Sequence, residues 1–165
     1  MTASALPTEP LRAEHRELLP HLQALDAAAD RVESWDAAEA TRELGEIIAF
    51  LRSHLVPHAH AEEQVLYPAV ESAMGAPGAT ATMQADHGEI VARSDRLADT
   101  AAAVGQRWPD AELARQVAHQ LVGLSAILGL HFRKEEEVLL PVLDASLDAD
   151  EASALFARMG DTAHS

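Results

Sequence analysis

The sequence predicts an all-α protein: an antiparallel up-down-up-down four-helix bundle with an internal two-fold pseudo-repeat and a short C-terminal helix. Three observations carry this. Apolar residues make up 48% of the 165 positions but aromatics only 4%, with Ala and Leu prominent, a balance that suits helices better than sheets. Apolar positions recur at alternating steps of four and three, the helical signature. The chain also states one pattern twice. HAHAEEQVLYP at 58–68 returns as HFRKEEEVLLP at 131–141, and AEHREL at 13–18 returns as ADHGEI at 85–90.

The first helix carries Leu11, His15, Leu18, Leu22, Leu25, Ala29 and Val32. Ser34 suits the N-cap of the second helix, with Asp36 in its first turn. That helix presents Leu44, Ile48, Leu51, Leu55, His58, Glu62 and Val65. The run MGAPG at 74–78 is the clearest loop. A third helix follows with Met83, His87, Ile90, Ser94, Leu97, Ala101 and Val104, and Gly105 is its expected stop. Pro109 fits the first turn of the fourth helix, whose stripe is Val117, Leu121, Leu124, Leu128, His131, Glu135, Val138 and Val142. Pro68 and Pro141 are expected to close the second and fourth helices. Pro57 falls inside the second and is expected to kink it or remove a hydrogen bond. Residues 149–158 are expected to form a short cap helix, and the tail 160–165 to be loose. Neither half, about 8–73 or about 79–146, could bury its stripe alone, so the chain, 1–165, reads as one domain with its bundle at about 8–146.

Charge and composition exclude several functions. With 27 acidic against 12 basic residues the formal charge is −15, which repels phosphate backbones, and no Lys/Arg face stands out. Nucleic acid is not an expected partner. No stretch approaches the ~18 uninterrupted apolar residues of a membrane span, and the N-terminus lacks the pattern of a signal peptide. A soluble, cytoplasmic protein is the expectation. There is no cysteine, so any metal site must be built from nitrogen and oxygen. Neither a Ser-His-Asp order, a glycine-rich phosphate loop nor an EF-hand run is present.

Six repeated polar residues fall on the stripe that should be buried: His15, His58, Glu62, His87, His131 and Glu135. Burying them unpaired would cost roughly 1–3 kcal/mol each. A hydrogen-bonded polar network would relieve this, and so would metal ions. Histidine and glutamate four apart stand one above the other on a helix face, and two halves then supply four nitrogens and two carboxylates. If both glutamates bridge, each of two metals receives two nitrogens and two oxygens. Such a donor set suits iron or manganese, and zinc accepts the same ligand types.

The order His … His-x3-Glu … His … His-x3-Glu over about 8–146, with the repeated EE-x-x-Leu-(Tyr/Leu)-Pro ends, resembles the hemerythrin-like, or HHE cation-binding, family. The resemblance implies an oxo- or hydroxo-bridged non-haem pair of Fe ions in an antiparallel bundle. Its ligands would be His15, His58, Glu62, His87, His131 and Glu135, with the two glutamates bridging. It also implies binding of O2, H2O2 or NO, with catalase-like peroxide turnover as a possible activity. The alternative is a non-catalytic iron-binding or iron-sensing protein; a metal-free interaction bundle is a third reading. Oxygen carriers of the family use a fifth histidine on the third helix, where this chain has Met83. His54, four residues before His58 and matched by Ile127, is expected to face inward, as a fifth ligand, a hydrogen-bond partner beside the site, or a half-buried residue beside Pro57. His60, Glu63, Glu136, Glu137, Glu17 and Glu89 read as solvated, and His119, His21 and His164 as unpatterned. Tyr67, half a helical turn from His58, is expected to lie away from the site.

Overall fold

The structure, a computed structural model, describes residues 6–163, so His164 and the extreme N-terminus lie outside the described residues. It is all-helical, with no strand among the described residues. Helix α1 is Glu9–Arg31; α2 runs over 37–74, α3 is Ala81–Arg107, α4 runs over 111–146, and α5 is Ala149–Ala163. Successive partners meet in opposite order along the chain. Glu14 and His21 of α1 meet His58 and Phe50 of α2, while Arg52 and Glu63 of α2 meet Asp95 and His87 of α3. Neighbouring helices are therefore oppositely directed. No described helix is long and apolar enough to cross a membrane.

Caps set the helix ends, with some changes from the sequence reading. Asp36, not Ser34, caps α2, its carboxylate accepting from the Glu39 amide at 2.8 Å; Ser34 sits in a short 3₁₀ turn and donates to the Arg31 carbonyl. Helix α3 runs past Gly105 to Arg107. Pro109 precedes the fourth helix, which Asp110 caps by accepting from the amides of Glu112 and Leu113. Gly75, at φ 62°, ends α2 in the left-handed conformation that glycine adopts without strain. The C-terminal helix continues to Ala163 because Leu155 and Met159 are buried against the bundle, so residues 160–163 belong to it rather than to a loose tail.

The prolines widen helices rather than closing them. Pro57, Pro68 and Pro141 each follow a five-residue π turn, at Leu51–Leu55, Glu62–Leu66 and Glu135–Leu139. In each case the residue before the proline donates to the carbonyl five positions back: Val56 to Leu51, Tyr67 to Glu62, Leu140 to Glu135. A proline offers no amide and its ring crowds the preceding turn, and the wider ring of the π turn gives it room. Helices α2 and α4 thus continue to Met74 and Ser146. The extra residue rotates everything beyond it. Val138, expected inside, is 58% exposed, while Leu139 and Leu140 are buried; likewise Leu66 and Tyr67 are buried where Val65 is only half-buried.

The core divides into two apolar clusters. One holds Leu18, Leu55, Ile90 and Leu128, the other Leu11, Leu66, Met83 and Leu139. In every bundle helix the divider is one or two of the six repeated polar residues. The repeat extends to the helix ends. Asp144 Oδ1 accepts from the Thr8 amide at 3.0 Å and its hydroxyl at 2.8 Å, and Glu71 Oε1 does the same for Thr80 at 3.2 and 2.7 Å. Asp144 additionally receives Arg12 at 3.0 Å, and these contacts hold its carboxyl below the usual range against the opposing effect of burial. Asp144→Ala is expected to destabilise by about 1–2 kcal/mol, a fall in Tm of roughly 2–8 °C for a domain of this size. Glu71→Ala, which removes no arginine contact, is expected to shift Tm less. Paired thermal melts check both.

Candidate metal centre

The six repeated residues converge in one layer, each between 0% and 4% exposed. Their imidazole Nε2 atoms point inward. His87 Nε2 and His131 Nε2 lie 2.9 Å apart, and His58 Nε2 lies 3.0 Å from Glu62 Oε1. Each glutamate spans the two histidine pairs. Glu62 Oε1 faces His58 and, at 3.7 Å, His15, while its Oε2 faces His87 at 3.3 Å. Glu135 Oε2 faces His15 and its Oε1 faces His131, both at 3.4 Å. Each glutamate thus turns one oxygen toward each histidine pair.

The outward Nδ1 atoms are held by four further carboxylates. His15 pairs with Glu136 at 2.8 Å, His58 with Glu14 at 3.0 Å, His87 with Glu63 at 2.9 Å and His131 with Asp86 at 3.3 Å. These obey the repeat, Glu14 matching Asp86 and Glu63 matching Glu136. Glu63 and Glu136 are accordingly not solvated bystanders. They follow the inward glutamates by one residue, about 100° further round the helix, and their side chains reach across to the neighbouring helix. A carboxylate accepting from Nδ1–H fixes the ring and leaves Nε2 as a bare lone pair.

That tautomer creates the central problem. His15 Nε2, His58 Nε2, both Glu62 oxygens and Glu135 Oε2 are buried without a hydrogen-bond donor. Acceptors facing acceptors in an apolar interior require positive charge among them. Two groups, Glu62-His87-His131-Glu135 and His15-His58-Glu62, each place one ligand atom per residue within 4.8 Å of the others. All four histidines and both glutamates fit metal ions by atom type, orientation and unmet valence.

Protons take the same role when metal is absent. Burial opposes charging of His58, but the Glu62 charge and the Glu14 hydrogen bond outweigh it and raise its pKa well above the ordinary value. His15 and His87 are raised against burial by Glu62 and Glu135. Burial would raise Glu62, yet His58, His15 and His87 hold it well below the carboxylate range.

Two aromatic residues break the symmetry. Tyr67, fully buried, donates its hydroxyl to Glu135 Oε1 at 2.9 Å and lies 3.2 Å from His87 Nε2 and 3.4 Å from His131 Nε2. Burial, then the charges of Glu62 and Glu135, raise its pKa and keep it a phenol. The expectation that Tyr67 lies away from the site is therefore wrong, and the π turn at Glu62–Leu66 is the reason. It carries Tyr67, five residues after Glu62, onto the inner face. The repeat mate is Leu140, which donates nothing. On the other side Phe132 stacks on His15, centroids 4.6 Å apart, where the repeat has Ala59. His54 is corrected too. It is exposed, hydrogen-bonded to Ser53 at 2.7 Å and stacked on Phe50, because it lies within the first π turn, whose inward residues are Leu51 and Leu55. His60, His119 and His21 are exposed, as are Glu17 and Glu137.

Removal of metal is expected to make stability fall as pH rises above 6.5. In stripped protein, stability contributed by the raised histidines is complete below the ordinary value of 6.5 and is lost as pH climbs through their raised values. The Glu62 contribution is present above 4.5 and is lost only as pH falls through its depressed value. Tm of the stripped protein should therefore decline from pH 6.5 upward, whereas metal-loaded protein should hold its Tm over that range. Melts at a series of pH values, with and without chelator, check this, and a rising Tm in the stripped protein would contradict it.

The sequence model described as Hemerythrin HHE cation binding domain matches residues 6–143. No curated protein and no solved structure matches the chain. The matched span takes in all six converging residues together with Tyr67 and the four carboxylates that hold the imidazoles. The chain belongs to the hemerythrin family of HHE cation-binding domains.

Proposed function

We propose that His15, His58, Glu62, His87, His131 and Glu135 hold two iron ions bridged by the two glutamates, and that the centre binds O2, peroxide or NO, with peroxide turnover as its reaction. The observation that carries this is the set of five orphaned acceptor atoms converging from both halves. Bound iron supplies an open position for a small ligand and a reversible change of oxidation state. The protein supplies the rest. The four outer carboxylates fix the imidazole rings, and the apolar clusters on either side exclude bulk water. Four histidines rather than five leave room for a ligand.

Peroxide is favoured over simple carriage by Tyr67. Its hydroxyl is a buried hydrogen-bond donor within 3.4 Å of two inward nitrogens, positioned to donate to an oxygen of a bound ligand. A carrier has less use for a donor that is present at only one end of the site.

Purified protein should contain about two irons per chain, and added hydrogen peroxide should give steady O2 evolution. Protein that neither contains iron nor takes it up on reconstitution would sink the reading; a stable coloured adduct without O2 release would make it a carrier or sensor. Tyr67→Phe should retain the iron and consume peroxide at least about tenfold more slowly, the scale expected of a lost proton donor.

A further inference from the structure

The repeat that builds the centre fails around its rim. Four carboxylates hold the Nδ1 atoms, but only two of them meet a cation: Glu136 pairs with Arg12, and Asp86 with Lys134. The repeat mates of those cations are Gln84 and Ala61. Glu63 and Glu14 consequently pair with His87 and His58 and with no lysine or arginine among the described residues. Two further mismatches fall beside Glu63. Ala59 stands where the repeat has Phe132, and Gly88 where it has Arg16. A Cβ on Gly88 would meet nothing within 4 Å.

The result is a groove of ≈ 320 Å³ between α2 and α3, with His60, Glu63, Gln84, His87 and Gly88 on its walls. The equivalent flank over His15 is filled by Phe132 and Arg12. Glu14 and His58 border a second cavity, of ≈ 200 Å³, that lies beneath α5, where Leu11, Phe156 and Met159 complete its walls.

The six inward residues are at most 4% exposed, so an ion must have a way in. A hydrated cation gives up water only where other donors replace it; the groove offers the side chains of His60, Glu63 and Gln84 before His87, whereas the cavity beneath α5 offers only that of Glu14 before His58. Resting on the reading of those six residues as ligands, we propose that divalent cations enter the centre through the groove between α2 and α3, passing from Glu63 and His60 to His87. Glu63 pairs with no lysine or arginine among the described residues, and His60 and Gln84 add nitrogen and oxygen donors along the way. The flanks over His15 and His131 are barred by Arg12 and Lys134, whose charges repel an incoming ion.

Restoring the repeat should close the route. Gln84→Arg places a guanidinium beside Glu63 and Glu71, as Arg12 stands beside Glu136 and Asp144. Cobalt(II) added to metal-stripped protein, followed by its visible absorption, should load this variant at least about tenfold more slowly but to the same final content. Gly88→Arg should act in the same direction through a different position, and serves if Gln84→Arg fails to fold. Ala163→Arg, which obstructs the cavity beneath α5, should load at the wild-type rate. The route is overturned if both groove variants load as fast as wild type, or if only Ala163→Arg is slowed. Wild-type protein that takes up no cobalt at any rate would instead bring down the metal-centre reading itself, and the route with it.

Discussion

A layer of acceptors buried between two apolar clusters governs this protein. Four imidazoles commit their Nδ1–H groups to outer carboxylates, and so turn bare Nε2 atoms toward two carboxylates that are themselves acceptors. Left alone, each such group would cost on the order of 1–3 kcal/mol, and the shared negative field would add to that. The layer is tolerable only with cations inside it, either metal ions or protons. Much else follows from containing that layer: apolar clusters above and below it, carboxylates fixing each ring, and Tyr67 supplying one of the few hydrogen bonds it receives.

The backbone adapts to this layer at the glutamates. Both π turns of the site begin at the inward glutamate, Glu62 or Glu135, and end just before a residue followed by proline. A regular α-helix would bring the residue four positions on over the glutamate; the wider turn brings the fifth. In the first half the fifth is Tyr67 and in the second Leu140. The same widening in both halves thus brings a hydroxyl to Glu135 Oε1 from one and leaves a leucine at the matching position of the other. The prolines make the regular alternative costly, and so help to hold the wide turns in place.

The four-three stripe made the bundle legible, because only a helix buries residues at that spacing. The six inward residues were legible because stripe and repeat coincide on them and on no other histidine or acid. What the stripe could not convey is a change of period. Past a π turn its register slips by one, which is why Val138 emerges into solvent and why Tyr67 and His54 exchange their expected environments. The outer carboxylates were hidden for a different reason. Glu63 and Glu136 lie off the stripe, and an off-stripe acid normally faces water; that these reach a neighbouring helix depends on interhelical distance, which spacing within one helix does not report. A trace of them existed in the repeat itself, since Glu14 and Asp86 precede matched histidines and Glu63 and Glu136 follow matched glutamates.

Two-fold repetition suits the donor layer, because two halves of like sequence supply two like sets of nitrogens and carboxylates. Chemistry and access need the opposite. A small ligand is best handled where one end of the site differs from the other, and an ion must enter through some flank while the rest stay shut. The substitutions respect that division. Matched positions keep a histidine or an acid wherever a side chain is one of the six inward residues or holds an imidazole, and the match is kept again at the Thr8 and Thr80 ties. They diverge at Tyr67 and Leu140, at Phe132 and Ala59, and at Arg12 and Gln84, all of which stand around the ligands without belonging to them. The symmetric part supplies the inward donors and the carboxylates that fix them, and the asymmetric part supplies the one hydroxyl beside them and the open groove between α2 and α3.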